Sequence, residues 1–322
     1  RQNLYKLASA ALEYQSGRTK VVTDNLNFPS DIYVLGSVIE RAGKDHQLEI
    51  IASQDGIHGP EEALISALDQ DTALLSLSLT TFKSGFTYDL DRMTTAAHAV
   101  GAMVLWDLSH SAGAIPISLA SAQADLAVGC TYKYLNGGPG APAYLYVRKN
   151  LQQKLNNPIA GWMGQQNMFA FDLDYQPAND LCRMLTGTPA ILSGSMVEPG
   201  VDMLLDAGMD EIRKKSILLT DYFIALAREV LLPLGFQINT PLEASLRGSH
   251  VSLGHKEGLR IDKALIDRYK IIPDFRAPDN IRFGFAPLFT TFGEVYKTVF
   301  ALKEIVESEA FLNYSEEQPP VT

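Results

Sequence analysis

Asp107, His110, Lys133 and Arg282 are the residues of this chain whose types and spacing are suited to chemistry. Asp107 ends the apolar run 102–106, and His110 follows three residues later. A second run, 125–130, delivers Tyr132 and Lys133 and then a Gly-rich turn, YLNGGPG. Both clusters fall where a buried parallel strand would end, the edge at which open α/β sheets bind ligands. A buried Lys can form a Schiff base with an aldehyde cofactor, and an Asp can hold a pyridine nitrogen protonated so that the ring becomes an electron sink. Asp107 and Lys133, 26 residues apart on successive strand ends, fit pyridoxal phosphate. A capping Asp and a surface Lys would look the same. The His110 imidazole is placed to lie against a flat ring, and the glycines after Lys133 let backbone approach a ligand or a partner subunit. Arg282 lies inside the apolar run NIRFGFAP, where a charge needs a partner. That partner is either an Asp or Glu of the chain or a ligand carboxylate, which a guanidinium grips with two parallel hydrogen bonds.

The elements that must position these residues follow from periodicity. Residues 2–17 read as a helix ended by Gly17, and 20–23 as a short strand. Ser30 or Asp31 can cap a helix at 32–41. Residues 48–52 and 72–79 read as strands, the second carrying Ser78 near its end. Pro60, Glu61 and Glu62 suit the start of a helix, and 90–100 is helical, with His98 a solvated or packing residue. Residues 143–147 form a strand packing back on the sheet. This alternation predicts an α/β fold, a mostly parallel sheet with helices on both faces.

Residues 160–195 have little periodicity and many Gly, Pro and aromatic residues, the texture of a functional or interface segment; Trp162, Cys182, Arg183 and Thr188 lie there. Residues 201–232 read as one long helix. Beyond Pro233 the texture is that of a smaller α+β unit: strands at 236–239, 250–253 and 281–285, helices at 260–269 and 291–308. The tail 315–322 is expected to be disordered. The expected division is a large domain at 1–200, a linking helix at 201–232 and a small domain at 233–322.

Composition narrows the classes. The chain has 322 residues, 46% hydrophobic and 20% charged, as in ordinary globular proteins. A net charge of −10 argues against a general nucleic-acid binder, which would show a basic face. Two cysteines, Cys130 and Cys182, make no disulfide framework, so the cytoplasm is the expected compartment. No run approaches a membrane span.

Several segments together resemble kynureninase: NFPSD (27–31), DLSHSAG (107–113), TYKYLNGGPG (131–140), GWMG (161–164), GTP (187–189) and IRFGFAPL (281–288). The resemblance runs in order over most of the chain. It implies a pyridoxal 5'-phosphate enzyme of the aspartate-aminotransferase fold, with a seven-stranded type of sheet. It implies hydrolysis of L-kynurenine, or its 3-hydroxy form, to anthranilate or 3-hydroxyanthranilate and L-alanine, in a homodimer with shared active sites. Carried over residue by residue, it makes Lys133 the cofactor lysine and Asp107 the partner of the ring nitrogen. Phe28, Pro29, Ser30, Asp31, Ser78 and His110 would surround the ring. Tyr132 would bind phosphate and act as an acid. Trp162 would reach the phosphate across the dimer interface, Thr188 would contact substrate or cofactor, and Arg282 would hold the substrate carboxylate. Gly187 and Thr188 lean towards kynurenine over the 3-hydroxy form. The family's phosphate-binding turn would precede Arg1, so an upstream segment is expected. No metal is implied.

Two other classes share parts of this pattern. Class V aminotransferases and cysteine desulfurases have the same Asp, His and Lys order, but a desulfurase needs a reactive Cys on a mobile loop. Cys130 falls in an expected strand and Cys182 lacks a Gly-rich lid. A non-catalytic fragment is the third reading, opposed by the intact Asp107, His110, Lys133 and Arg282.

Overall fold

A computed structural model describes residues 1–43 and 45–317. Helix α1 (Gln2–Tyr14) leads into β1 (Lys20–Asp24), α2 (Pro29–Ala42), β2 (Gln47–Ile51), α3 (Glu61–Ala67), β3 (Thr72–Ser78), α4 (Leu90–Ala99), β4 (Met103–Asp107), β5 (Leu126–Cys130) and β6 (Ala143–Val147). These strands form one sheet in the order β2-β1-β3-β4-β5-β6. All neighbours are parallel except β5 and β6. The sheet therefore has six strands among the described residues, not the seven expected, because none of them pairs beyond β2 or β6.

Alternation along the strands builds two cores. Val21, Leu74, Leu105 and Leu126 face α1 and α2. Val22, Leu75, Val104 and Trp106 face the opposite way, with α3 and α4. A strand covered on both faces reads as a continuous apolar run, as β3 and β4 do.

Residues 149–190 hold only short 3-10 turns, in keeping with the irregular texture. Helices α5 (Ile191–Ser195), α6 (Val197–Ala207) and α7 (Met209–Leu226) follow. The single helix expected at 201–232 is broken: Gly208 sits at φ +77°, which only glycine adopts without strain, and separates α6 from α7. The second sheet has the order β7-β8-β10-β9, from β7 (Gln237–Ile238), β8 (His250–Gly254), β9 (Asp274–Arg276) and β10 (Asn280–Gly284). Helices α8 (Gly258–Ala264) and α9 (Phe292–Glu307) complete it. Phe223 of α7, Val251, Ile281, Phe283, Val299 and Leu302 form its core. Thr291 and Glu294 form a reciprocal cap at the start of α9. Strand β9 is missing from the sequence reading, because three residues beside a proline-rich turn carry no usable period.

The expected disorder of the tail does not hold at its start. The Lys263 ammonium donates to the carbonyls of Ser315 and Glu317 at 2.7 and 2.6 Å. Residues 318–322 lie outside the described residues.

Candidate active site

The carboxyl ends of β3, β4 and β5 converge with β8–β10 on a cleft of about 580 Å³. Its lining includes Phe28, His110, Tyr132, Lys133, His250 and Arg282. Asp107 ends β4 beside Ser78 of β3, and its Oδ1 accepts the Ser109 amide at 2.7 Å. That turn swings His110 towards the end of β5, where its Nε2 lies 2.9 Å from Lys133 Nζ. Burial, followed by the charges of Lys133, His250 and Arg282, holds His110 well below the usual histidine range, so its ring is neutral. Burial also lowers Lys133, against the opposing influence of Cys130 and Asp107.

The turn after β1 supplies the other side of this wall. Pro29 starts α2 at its first position, so the helix begins earlier than expected and neither Ser30 nor Asp31 caps it. Both instead sit in the first turn, with Ser30 Oγ and Asp31 Oδ2 buried and without hydrogen-bond partners among the described residues. Asp31 is 2% exposed. Burial and the neighbouring Asp107 charge push its carboxyl up to about 8, against the pull of Arg1. Asn27 locks this turn to the sheet: its Nδ2 donates to Thr23 Oγ1 at 2.5 Å, and its Oδ1 accepts the Ser78 amide at 2.5 Å. Ser78 is buried but does not line the cleft. Phe28 meets Phe82 edge-on, with centroids 5.1 Å apart.

The opposite wall carries Arg282. Its Nη1 donates to the Phe82 carbonyl at 2.6 Å, and its Nη2 pairs with Asp274. Burial works to raise the Asp274 carboxyl, but Arg282, with Arg276 and Lys133 behind it, outweighs burial and lowers it. Arg282 therefore has the internal acidic partner that a charge in an apolar strand demands, and it also lines the cleft. Tyr132 is 53% exposed, and Lys133 Nζ lies 5.7 Å from its ring centroid. Burial and Cys130 raise the Tyr132 phenol.

Trp162 and Thr188 do not join this cleft within the chain. Trp162 packs edge-on against Phe169 in a separate surface groove with Phe171 and Tyr175. Thr188 is exposed in the turn before α5. Arg183 is buried and donates to the Gln152 carbonyl at 2.9 Å, a structural bond. Cys130 lies 3.8 Å from the Ser109 carbonyl, and Cys182 is exposed in a short 3-10 turn, away from the cleft. His98 pairs with buried Asp125 at 2.8 Å.

Sequence reasoning missed His250, Asp274, Arg276, Gly284, Ala286 and Phe289 as cleft residues. His250 was legible only as the polar member of an apolar strand. Its ring lies 5.3 Å from that of His110, and neither nitrogen has a hydrogen-bond partner among the described residues.

A protein called kynureninase from Pseudomonas fluorescens is 42% identical over 313 residues, covering 96% of this chain and 73% of that protein. One from Burkholderia mallei (strain SAVP1) is 39% identical with the same coverage. The chain belongs to the kynureninase family. The family's C-terminal domain model matches residues 212–302, which include most of α7, the second sheet and Arg282. The fold also appears in solved structures of low identity. An apo cysteine desulfurase from Thermococcus onnurineus NA1 matches with a TM-score of 0.78 at 17% identity, over 95% of this chain and 78% of that one. A C-DES mutant with glycine covalently linked to its PLP cofactor matches at 0.78 and 16% identity, over 94% and 79%.

Residues of this kynureninase-family cleft fit pyridoxal phosphate. The Arg1 guanidinium lies over the Phe28 ring, 4.7 Å from its centroid, paired with Asp31 and 3.6 Å from Asp107. A flat cation therefore already covers this aromatic face, paired with one buried carboxyl and near a second. A protonated pyridine ring is likewise flat and cationic. The amine of Lys133, beside a neutral imidazole, suits an aldehyde.

Proposed function

We propose that this protein is a pyridoxal 5'-phosphate-dependent hydrolase that cleaves L-kynurenine, or its 3-hydroxy form, to anthranilate or 3-hydroxyanthranilate and L-alanine. The observation that carries the reading is the opposition of two walls across one cleft: Lys133 and His110 on one, with the carboxyls of Asp31 and Asp107 buried behind it beside Arg1, and Arg282 on the other. The separate cores of the two sheets support a division into a large unit (1–200) and a small unit (233–322), joined over 201–232 by the broken pair α6 and α7 rather than by one helix.

The cofactor, when bound, would supply an aldehyde for the substrate amine and a ring that draws off the electron pair released at Cα and, once water has added to the γ-carbonyl, the pair left on Cβ when Cβ–Cγ breaks to give the carboxylate of anthranilate. Lys133 Nζ would hold the aldehyde and then move the α-proton, and its burial lowers its pKa, the direction that favours the amine form this needs. His110, neutral, accepts a hydrogen bond from Nζ and steers it. Asp107 and Asp31 are the carboxyls that would keep the ring nitrogen protonated, and Phe28 is the aromatic that would lie against the ring. Pro29 and Ser30 shape the turn that carries them, and Ser78 supports that turn through Asn27. Tyr132, whose phenol burial and Cys130 shift upward from an ordinary value already well above neutral pH, would deliver its proton to the β-carbon after cleavage. Arg282 holds the α-carboxylate; the pairs to Phe82 and Asp274 occupy two of its five N–H groups and leave a fork for the ligand.

The same reading makes the protein a homodimer. The segment around Trp162 exposes Phe169 at 72%, Phe171 at 77% and Leu173 at 100%, and α5 exposes Ile191 and Leu192. So much exposed apolar surface in one segment marks an interaction site. Trp162 and Thr188 would complete the partner's cleft. No described helix is long and apolar enough to cross a membrane, and both cysteines are free, which supports a cytoplasmic enzyme. The test is anthranilate fluorescence on adding L-kynurenine to the cofactor-loaded protein. Release of anthranilate without a keto-acid acceptor is the expected result. Amino transfer to a keto acid without anthranilate release would replace the hydrolase reading with a transferase.

A further inference from the structure

Strand β10 carries two alternating faces. Ile281, Phe283 and Phe285 enter the core of the second sheet. Arg282, Gly284 and Ala286 line the cleft. Beyond the Arg282 fork, that cleft face offers only a hydrogen atom and a methyl group. A Cβ built on Gly284 would approach only Tyr134 Oη, at 3.9 Å, so the strand has room there for a side chain it does not carry. The row ends at a closed turn. The amides of Phe289 and Thr290 donate to the Ala286 carbonyl at 3.2 and 2.9 Å, and the Ala286 amide donates to Thr290 Oγ1 at 3.1 Å. This turn holds the Phe289 ring at the cleft, 68% exposed. An aromatic ring held exposed by a rigid turn, at the end of a smooth strip, is a wall for a flat apolar group. Four residues of extended chain span about 13 Å, room for a carboxylate at one end and an aryl ring at the other.

We propose that Gly284, Ala286 and Phe289 form the aryl subsite: Gly284 and Ala286 as a floor kept low for the substrate ring, and Phe289 as the wall that stops it. This inference rests on the proposed kynurenine reaction and adds the residues that select an aryl substrate. An aliphatic amino acid would fill the Arg282 end and leave the strip uncovered. The burial of aryl surface against Phe289 and the strip supplies the selectivity.

Gly284→Val tests the floor. Its backbone is not left-handed, and a β-branched side chain suits a strand, so the second sheet accepts it while the strip is filled. Phe289→Ala tests the wall, and Phe289→Tyr is the conservative control. Each cofactor-loaded variant is assayed for anthranilate release from L-kynurenine and, as reference, for exchange of the α-proton of L-alanine in deuterated water. The expected result is a drop of at least tenfold in the kcat/KM ratio of kynurenine over alanine for Gly284→Val and for Phe289→Ala, carried by KM. Phe289→Tyr should keep the parent ratio. A general loss of folding or cofactor would lower both reactions together, and a ratio within threefold of the parent in both variants overturns the proposal. A second arm measures binding of anthranilate itself by its fluorescence anisotropy. If the parent hydrolyses no kynurenine, the proposed function fails, and this arm still judges the strip. Equal anthranilate affinity in the parent and Gly284→Val overturns the floor, whereas affinity weakened at least tenfold supports it.

Discussion

The wall that carries Lys133 and the wall that carries Arg282 are built from opposite kinds of sheet edge. Asp107 ends a parallel strand, and His110 and Lys133 stand in the turns just past the carboxyl ends of β4 and β5. There the backbone leaves the ladder and several side chains can converge from a few consecutive residues. Arg282 stands within an antiparallel strand, where only every second residue faces the cleft and the others serve the core. The first wall gathers chemistry densely, and its buried acids lack full partners: Asp31 Oδ2 has none among the described residues. The second holds its cation with internal partners, Asp274 and the Phe82 carbonyl. Phe82 joins the two, its carbonyl holding Arg282 and its ring meeting Phe28. One wall is poised for reaction and the other for grip.

The largest effect should come from breaking the first wall. Lys133→Ala removes the side-chain amine beside His110 and should lower kcat by about a thousandfold or more. Because the walls would be completed by a partner's Trp162, the same variant also tests assembly. Mixed with Trp162→Ala chains, random reassembly should restore up to about a quarter of parental activity, since half the dimers are hybrids with one intact site. Verified hybrids without recovered activity would refute the shared site.

The second wall should yield a smaller loss that resides in binding. Arg282→Ala removes a charge-assisted fork from a mostly buried position, a cost of about 2–5 kcal/mol, or roughly thirtyfold to several thousandfold in kcat/KM. Arg282→Lys keeps charge but not the fork and should also be poor. Turnover of kynurenine by Arg282→Ala at the parental kcat/KM would remove the carboxylate role.

The contrast between the walls also explains what was legible in the sequence. Turn residues past a parallel strand sit next to one another, so DLSH and TYK read as motifs, and the alternation of strands and helices around them reads as an α/β fold. A residue on an antiparallel strand face is interleaved with core residues. Its partners belong to other strands whose register no local pattern records. Arg282 stood out as a charge in an apolar run, but Asp274 on three-residue β9, His250 on β8 and the gap at Gly284 did not. The break at Gly208 was hidden for a related reason, since apolar spacing continues across it and only the backbone conformation changes.

The smallest effect distinguishes the walls by the sign of their pH dependence. Asp31 is pushed up to about 8 by burial and by Asp107, well above the ordinary value of about 3.9. Below about pH 4 both the folded and unfolded states hold its proton, and its contribution to stability is complete. As the pH rises the unfolded chain ionises first, so that contribution is lost up to about pH 8. Asp274 is shifted the other way by Arg282, so its contribution is present above about pH 4 and lost on acidification. Urea unfolding midpoints of the cofactor-free protein between pH 4 and 8 should therefore separate two variants. Asp31→Asn, neutral at every pH, should gain on the parent as the pH rises. Asp274→Asn should lose most at neutral pH and approach the parent in acid, by a lesser amount because its side chain is 44% exposed and solvent screens the pair. Pyridoxal phosphate brings a ring cation to Asp31, so loading the parent should flatten its slope. Parallel curves for parent and Asp31→Asn would mean that Asp31 is already ionised in the folded protein and that its burial does not hold the proton.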